Sequence, residues 1–60
     1  MRYKVEFSNL QGDVIATLYY TDRIDFNAIA QLAKAIPNCT DYSLYFTKVG
    51  EVIFVNWYPV

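Results

Sequence analysis

Histidine is absent from this chain of 60 residues, and cysteine occurs once, at Cys39. A lone thiol cannot close a disulfide within the chain, and a zinc site built from the usual nitrogen and sulfur ligands would lack three of its four ligands. A serine or cysteine nucleophile would have no imidazole to activate it. The sequence therefore predicts no metal, no cofactor and no enzyme activity.

Glycine is almost as scarce, and Gly12 and Gly50 belong to neither a phosphate-binding loop nor a dinucleotide-binding turn. No stretch approaches the roughly 20 apolar residues that cross a bilayer. The first six residues alternate polar and apolar side chains and lack the apolar segment of a signal peptide. We therefore expect a cytoplasmic protein with no membrane partner.

Net charge is also small, because five Lys and Arg against six Asp and Glu give 5 − 6 = −1. Such a balance provides no bulk attraction to nucleic acid or to an acidic membrane.

Asp22 and Asp25 bracket Arg23, and we interpret these carboxylates as a helix cap and a solvated loop. An acid–base pair or a site for a hard metal ion is the less favoured interpretation.

Hydrophobic residues are what the chain has in abundance, at 55%, with aromatic residues alone at 18%. This composition is typical of a globular protein, and the length predicts one domain over residues 1–60. A domain of this size buries only about 60% of the surface that its unfolded chain exposes. Without a disulfide or a metal, we expect either a very well packed core or a second chain that completes it.

Two strands are predicted before any helix. Residues 2–8 alternate polar and apolar side chains, which is the period of a strand with one buried face. Residues 9–13 contain turn formers, and residues 14–21 are rich in β-branched and aromatic residues. We therefore predict a β-hairpin over residues 2–21. The predicted inner residues of its second strand are Val14, Ala16, Leu18 and Tyr20, and the outer residues are Ile15, Thr17, Tyr19 and Thr21.

A helix is predicted over residues 25–36, where the hydrophobic period changes. Its apolar stripe is Ile29, Leu32, Ala33 and Ile36, spaced i, i+3, i+4 and i+7. Asp25 is a good N-cap, and Pro37 disfavours helical geometry at the residue before it.

A second hairpin is predicted over residues 42–58, with a two-residue turn at Val49 and Gly50. That turn sets the register of the strands that flank it. The predicted cross-strand pairs are Lys48 with Glu51, Phe46 with Ile53, Leu44 with Val55, and Tyr42 with Trp57.

The predicted fold class is α+β, a single ββαββ domain in which one helix packs on one face of a four-stranded sheet. Residues 52–55 are apolar on both faces, which favours a central position for the last strand. The preferred strand order is therefore 2-1-4-3, an arrangement that resembles the small β-grasp architecture in topology alone. The alternative order is 2-1-3-4, a wholly antiparallel sheet.

One helix covers only one sheet face, so the other face is predicted to expose large apolar side chains. Patches of this kind usually mark a partner site. The candidate partner-binding residues are Ile15, Tyr19, Tyr45, Val52, Phe54 and Trp57. Either a protein partner or a second copy, in a homodimer, would cover them, or else loops or the C-terminal tail fold back over part of the face.

The function predicted from these features is a non-catalytic protein–protein interaction module. It would act as a stoichiometric inhibitor or adaptor, of the type found in phages and mobile elements. The alternative is single-stranded nucleic-acid binding on the same face, where Arg2 and Lys4 accompany aromatic side chains. It is disfavoured because phosphate contacts dominate such affinity and the chain has no cationic excess.

Overall fold

The protein is described from a computed structural model that covers residues 2–21 and 23–60. All three strand pairings in its one sheet are antiparallel, and one helix lies between the second and third strands. This confirms the α+β class and the ββαββ order. The elements are β1 (Arg2–Ser8), β2 (Val14–Tyr20), α1 (Phe26–Ala35), β3 (Asp41–Lys48) and β4 (Glu51–Pro59).

The strand order is β2-β1-β3-β4, which is the alternative predicted from the sequence. The preferred order, 2-1-4-3, and its β-grasp-like arrangement are wrong. A strand that is apolar on both faces needs cover on both, but the described residues form one helix. β3 suits the central position better, because Leu44 on one face is buried while Ser43 and Thr47 face the other way. β4 therefore lies at the edge of the sheet.

The core lies between α1 and the centre of the sheet. Its buried residues are Val5, Phe7, Ile29, Ala33, Tyr42 and Leu44. We call the sheet face that packs against α1 the helix side, and the opposite face the outer face. With 10 residues, α1 is roughly 15 Å long, whereas a seven-residue strand extends about 23 Å, so the helix covers only part of the helix side.

Capping hydrogen bonds define both ends of helix α1. The Asp25 carboxylate accepts a hydrogen bond from the Ala28 N–H at 3.1 Å, so Asp25 is the N-cap. Ile36 is extended ahead of Pro37, and its N–H donates to the Leu32 carbonyl at 3.0 Å. The predicted span of 25–36 thus corresponds to the helix with its two caps.

Two β-bulges shift the register from the one predicted. In β4, the pairs Lys48–Glu51 and Phe46–Ile53 are confirmed, but Val55 is an extra residue. The predicted pairs Leu44–Val55 and Tyr42–Trp57 are wrong, because Leu44 lies opposite Asn56 and Tyr42 opposite Tyr58. The shift turns Tyr58 to the helix side, where its ring stacks on Tyr42 at 5.3 Å, and it turns Trp57 to the outer face.

The second bulge lies at the start of β2. Val14 is opposite Ser8, which belongs to the outer face, and Ile15 is the extra residue. The prediction that Val14 points inward is therefore wrong, and Val14 is half exposed. Ala16, Leu18 and Tyr20 do pack against the core as predicted. Thr21 lies just beyond the end of the strand.

Candidate interaction surface

A row of four side chains crosses the outer face, with one residue from each strand. Lys4 of β1 lies opposite Tyr19 of β2 and Tyr45 of β3, and Tyr45 lies opposite Phe54 of β4. We call these four residues the aromatic row. Tyr19 is 64% exposed and Phe54 is 56% exposed, while Tyr45 between them is half-buried. Three of the aromatic rings on this face are thus aligned across the sheet.

The middle of the aromatic row is held by direct contacts. The Tyr45 and Phe54 rings pack edge to face, with centroids 5.8 Å apart and planes at 72°. The Lys4 ammonium lies 5.2 Å from the Tyr45 centroid and 3.1 Å from the Glu6 carboxylate. Glu6 therefore neutralises the one cation of the row, and the surface presents aromatic area rather than net positive charge.

Trp57 extends this surface along β4 and is fixed by a hydrogen bond. Its indole Nε1–H donates to Asp41 Oδ2 at 2.7 Å, and Thr40 Oγ1 donates to the other oxygen, Oδ1, at 2.8 Å. The ring lies opposite Ser43, whose small side chain leaves it half exposed. Sequence reasoning did not find Asp41 as a residue of this surface, because the contact depends on the bulge at Val55.

The other two predicted site residues lie at separate positions. Val52 is exposed opposite Thr47, two residues before Phe54 on the same strand. Ile15 lies in the bulge of β2, and both β1 and β3 separate it from β4. The structure therefore brings together Tyr45, Val52, Phe54 and Trp57 on β3 and β4. Tyr19 is joined to them through Lys4, and Ile15 is remote.

The C-terminal tail does not cover the outer face. Residues 57–59 belong to β4, and the Val60 N–H donates to the Thr40 carbonyl at 3.0 Å, which continues the pairing with the β3 side. The alternative in which this tail folds back over the face is therefore wrong.

The Cys39 thiol, the Tyr42 phenol and the Asp25 carboxylate do not belong to the aromatic row. Cys39 is half-buried, and its Sγ lies 3.4 Å from the Asp41 carbonyl oxygen, to which it donates. Burial on the helix side raises the pKa of Tyr42, and the neighbouring Tyr58 and Cys39 add to the rise. Asp25 is engaged as the helix cap, and Asp22 lies outside the described residues. Across residues 2–21 and 23–60, no three His, Cys, Asp or Glu side chains form a group that could hold a metal ion.

No helix in the described part of the chain is both long enough and apolar enough to cross a membrane. No protein-family model, curated protein or solved structure matches the chain.

Proposed function

We propose that this protein is a non-catalytic protein–protein interaction module that binds its partner through the outer sheet face. The observation that carries the proposal is the cluster of exposed Val52, Phe54 and Trp57 around the half-buried Tyr45, which no element of the described chain covers. Large exposed apolar patches on a small domain mark contact sites more often than idle surface. Tyr and Trp are also the residue types most enriched among binding hot spots.

The anchors are held in place before a partner arrives. Asp41 fixes the Trp57 indole, and Lys4 and Phe54 restrain the Tyr45 ring. Side chains that are already ordered lose less conformational entropy on binding, so more of the contact energy remains as affinity. We therefore assign Tyr45, Phe54 and Trp57 as the central contacts, with Val52 and Tyr19 around them, and leave out Ile15, which is remote from this group.

Stoichiometric binding is the mode of action that fits such a surface. The protein would act in the cytoplasm as an inhibitor or adaptor, of the kind encoded by phages and mobile elements. Its partner would be another protein, bound by side chains of the outer face, and self-association would use the backbone edge of β4.

The test is affinity capture from the native host, followed by calorimetry with the captured partner and the double variant Tyr45→Ser/Phe54→Ser. We expect at least about thirtyfold weaker binding, because a hot-spot pair contributes roughly 2 kcal/mol or more. The matched control is Asn27→Ser/Gln31→Ser, two exposed positions on α1. Equal affinity of the folded double variant and the wild type would overturn the proposal. If circular dichroism shows that the double variant is unfolded, Phe54→Ser alone provides the same comparison.

Single-stranded nucleic-acid binding is the second candidate, favoured by the position of Lys4 between Tyr19 and Tyr45. Aromatic rings beside a cation are typical of such sites. Fluorescence anisotropy with a labelled single-stranded oligonucleotide at low salt separates the two functions. Binding that weakens with salt and with Lys4→Ala would support this second candidate, and no binding would exclude it.

A further inference from the structure

Strand β4 is exposed on both faces along its first half. Residues 52–55 are 59%, 43%, 56% and 49% exposed, with no alternation between the faces. On β2, the other edge strand, the helix-side residues Leu18 and Tyr20 are half-buried against the core. On β4, Ile53 also points to the helix side, opposite Phe46, but α1 does not cover it. β4 therefore has an apolar edge that nothing in the described chain packs against.

The free backbone groups of this edge follow from the pairing of β3 with β4. In an antiparallel ladder, alternate residues direct their N–H and C=O groups to the neighbouring strand. Lys48 and Glu51 close the two-residue turn, so Glu51 and Ile53 point towards β3. Val52 and Phe54 therefore direct their backbone groups outward, away from β3.

The second half of the same edge is blocked. The Trp57 N–H, which points outward, is taken by the Asn56 side-chain oxygen at 2.9 Å. Pro59 has no N–H, and the bulge at Val55 interrupts the strand. These are devices by which natural proteins prevent edge pairing. These blocking features extend from Pro59 back to Val55, so residues 51–54 are the part of the edge that is open to pairing.

We infer that this open segment pairs with the same segment of a second copy, antiparallel, about a two-fold axis at Ile53. Val52 of one copy then lies opposite Phe54 of the other, and the two Ile53 residues face each other. This register uses the outward backbone groups of Val52 and Phe54 in both copies, which gives four hydrogen bonds across the axis. The blocked half of the edge begins at Val55, just beyond the paired segment, so a longer pairing is prevented.

A second copy fits this edge better than an unrelated strand for two reasons. Residues 52–58 carry no charge, and Lys48 and Glu51 at the turn pair with each other at 3.5 Å, so two copies meet without repulsion. The segment also presents two outward residues placed evenly about Ile53, which is the symmetry that an isologous dimer requires. Because the segment is short, the interface is smaller than the roughly 1,200–2,000 Å² of a standard complex, and the dimer is weak.

Sedimentation equilibrium over micromolar to millimolar concentrations tests the dimer. We expect a concentration-dependent dimer for the wild type. For Ile53→Lys, which places two ammonium groups at the axis, we expect the dimer dissociation constant to rise about tenfold or more. Thr17→Lys is the matched control, since it makes the same charge change at an exposed site on the other edge. A wild-type monomer at millimolar concentration would overturn the inference, as would equal association of the two variants.

Cysteine cross-linking tests the register independently of any loss of folding. In a Cys39→Ser background, Ile53→Cys brings two thiols to directly opposed positions, about 4.5–5.5 Å apart at Cβ. We expect rapid oxidation to a covalent dimer. Val52→Cys is the control, because each Val52 faces Phe54 rather than its own symmetry mate. Faster cross-linking at position 52 than at position 53 would contradict the axis.

This inference does not depend on the proposed function. Tyr45→Ser, on β3, tests partner binding on the outer face without changing β4. A protein that dimerises but binds no partner would overturn the proposed function alone, and a monomer that binds its partner would overturn the dimer alone.

Discussion

Asp41 is the residue that positions Trp57 on the outer face. Its two carboxylate oxygens accept from Trp57 and from Thr40, and its backbone carbonyl accepts from Cys39. One residue at the start of β3 thus links the loop before the strand to the indole on β4. The consequence is that the orientation of Trp57 can be tested by changing a residue that is not one of the proposed partner contacts.

Asp41→Ala is expected to release the indole. Loss of this hydrogen bond lowers the free energy of unfolding by about 1–2 kcal/mol, since the acceptor is charged but solvent-exposed. Trp57 is the single tryptophan, so its fluorescence anisotropy reports the change directly. Ser43→Ala, opposite the ring, is the control. Unchanged anisotropy in Asp41→Ala would show that the hydrogen bond does not hold the indole.

Tyr42 is expected to make stability fall at alkaline pH. Its folded-state pKa lies above the usual value of 10.0, because burial disfavours the phenolate. Above pH 10 the unfolded state therefore loses this proton first, and stability falls until pH passes the folded-state pKa. Urea unfolding between pH 8 and 11 should show a smaller alkaline loss for Tyr42→Phe than for Tyr19→Phe, which removes an exposed hydroxyl. Equal losses would contradict this assignment.

At the scale of the elements, α1 depends for a defined beginning on Asp25, the N-cap residue just before it. The helix has 10 residues and no acidic side chain in its first turn, so the Asp25 cap is its main N-terminal stabilisation. We expect Asp25→Ala to cost about 1 kcal/mol of unfolding free energy and Asp25→Asn, which keeps an acceptor oxygen, only a fraction of it. Thermal or urea unfolding measures both. Equal losses would mean that the cap is not what matters at this position.

The Asn56 side chain is expected to limit pairing along the second half of the β4 edge. Asn56→Val removes the acceptor of the Trp57 N–H and adds a β-branched side chain, so the blocked half of the edge opens. We expect higher-order association, measured by light scattering at concentrations where the wild type is at most a dimer. Thr17→Val makes a similar change on β2 and should have little effect. Unchanged scattering in Asn56→Val would show that the bulge and Pro59 block the edge without Asn56.

The elements themselves could be predicted because their causes are local. The period of two in residues 2–8, the cap at Asp25 and the turn at Val49 and Gly50 each depend on neighbouring residues. The strand order depends on which strand can lie at the edge of the sheet with its side chains exposed. The apolar run in β4 predicted a central position for that strand, but β4 lies at the edge. The two bulges had no recognised local signal. They moved Val14 to the face opposite the one predicted, placed Tyr58 rather than Trp57 opposite Tyr42, and created the contact between Trp57 and Asp41.

For the whole molecule, stability depends on a core of very few residues. Among residues 2–21 and 23–60, six side chains are buried, and Phe7, Ile29 and Val5 are the largest of those that are fully enclosed. A domain of this length has on the order of 3–9 kcal/mol of stability. Phe7→Ala removes about 3–5 kcal/mol, a third or more of this stability, so we expect a large fall in the midpoint of urea unfolding. Leu10→Ala, at an exposed loop position, is the control. An unchanged midpoint for Phe7→Ala would mean that the core repacks.

The central pairing of β1 with β3 has a consequence for how the chain folds. Arg2 and Thr47, joined by a side-chain hydrogen bond at 3.1 Å, are 45 residues apart in the chain. Both hairpins and the helix can form from local contacts, but the two middle strands meet only after most of the chain has closed on itself. We therefore expect folding on the order of milliseconds or slower, with the docking of the two hairpins as its slow step. Until then the first hairpin exposes Val5 and Phe7 to water.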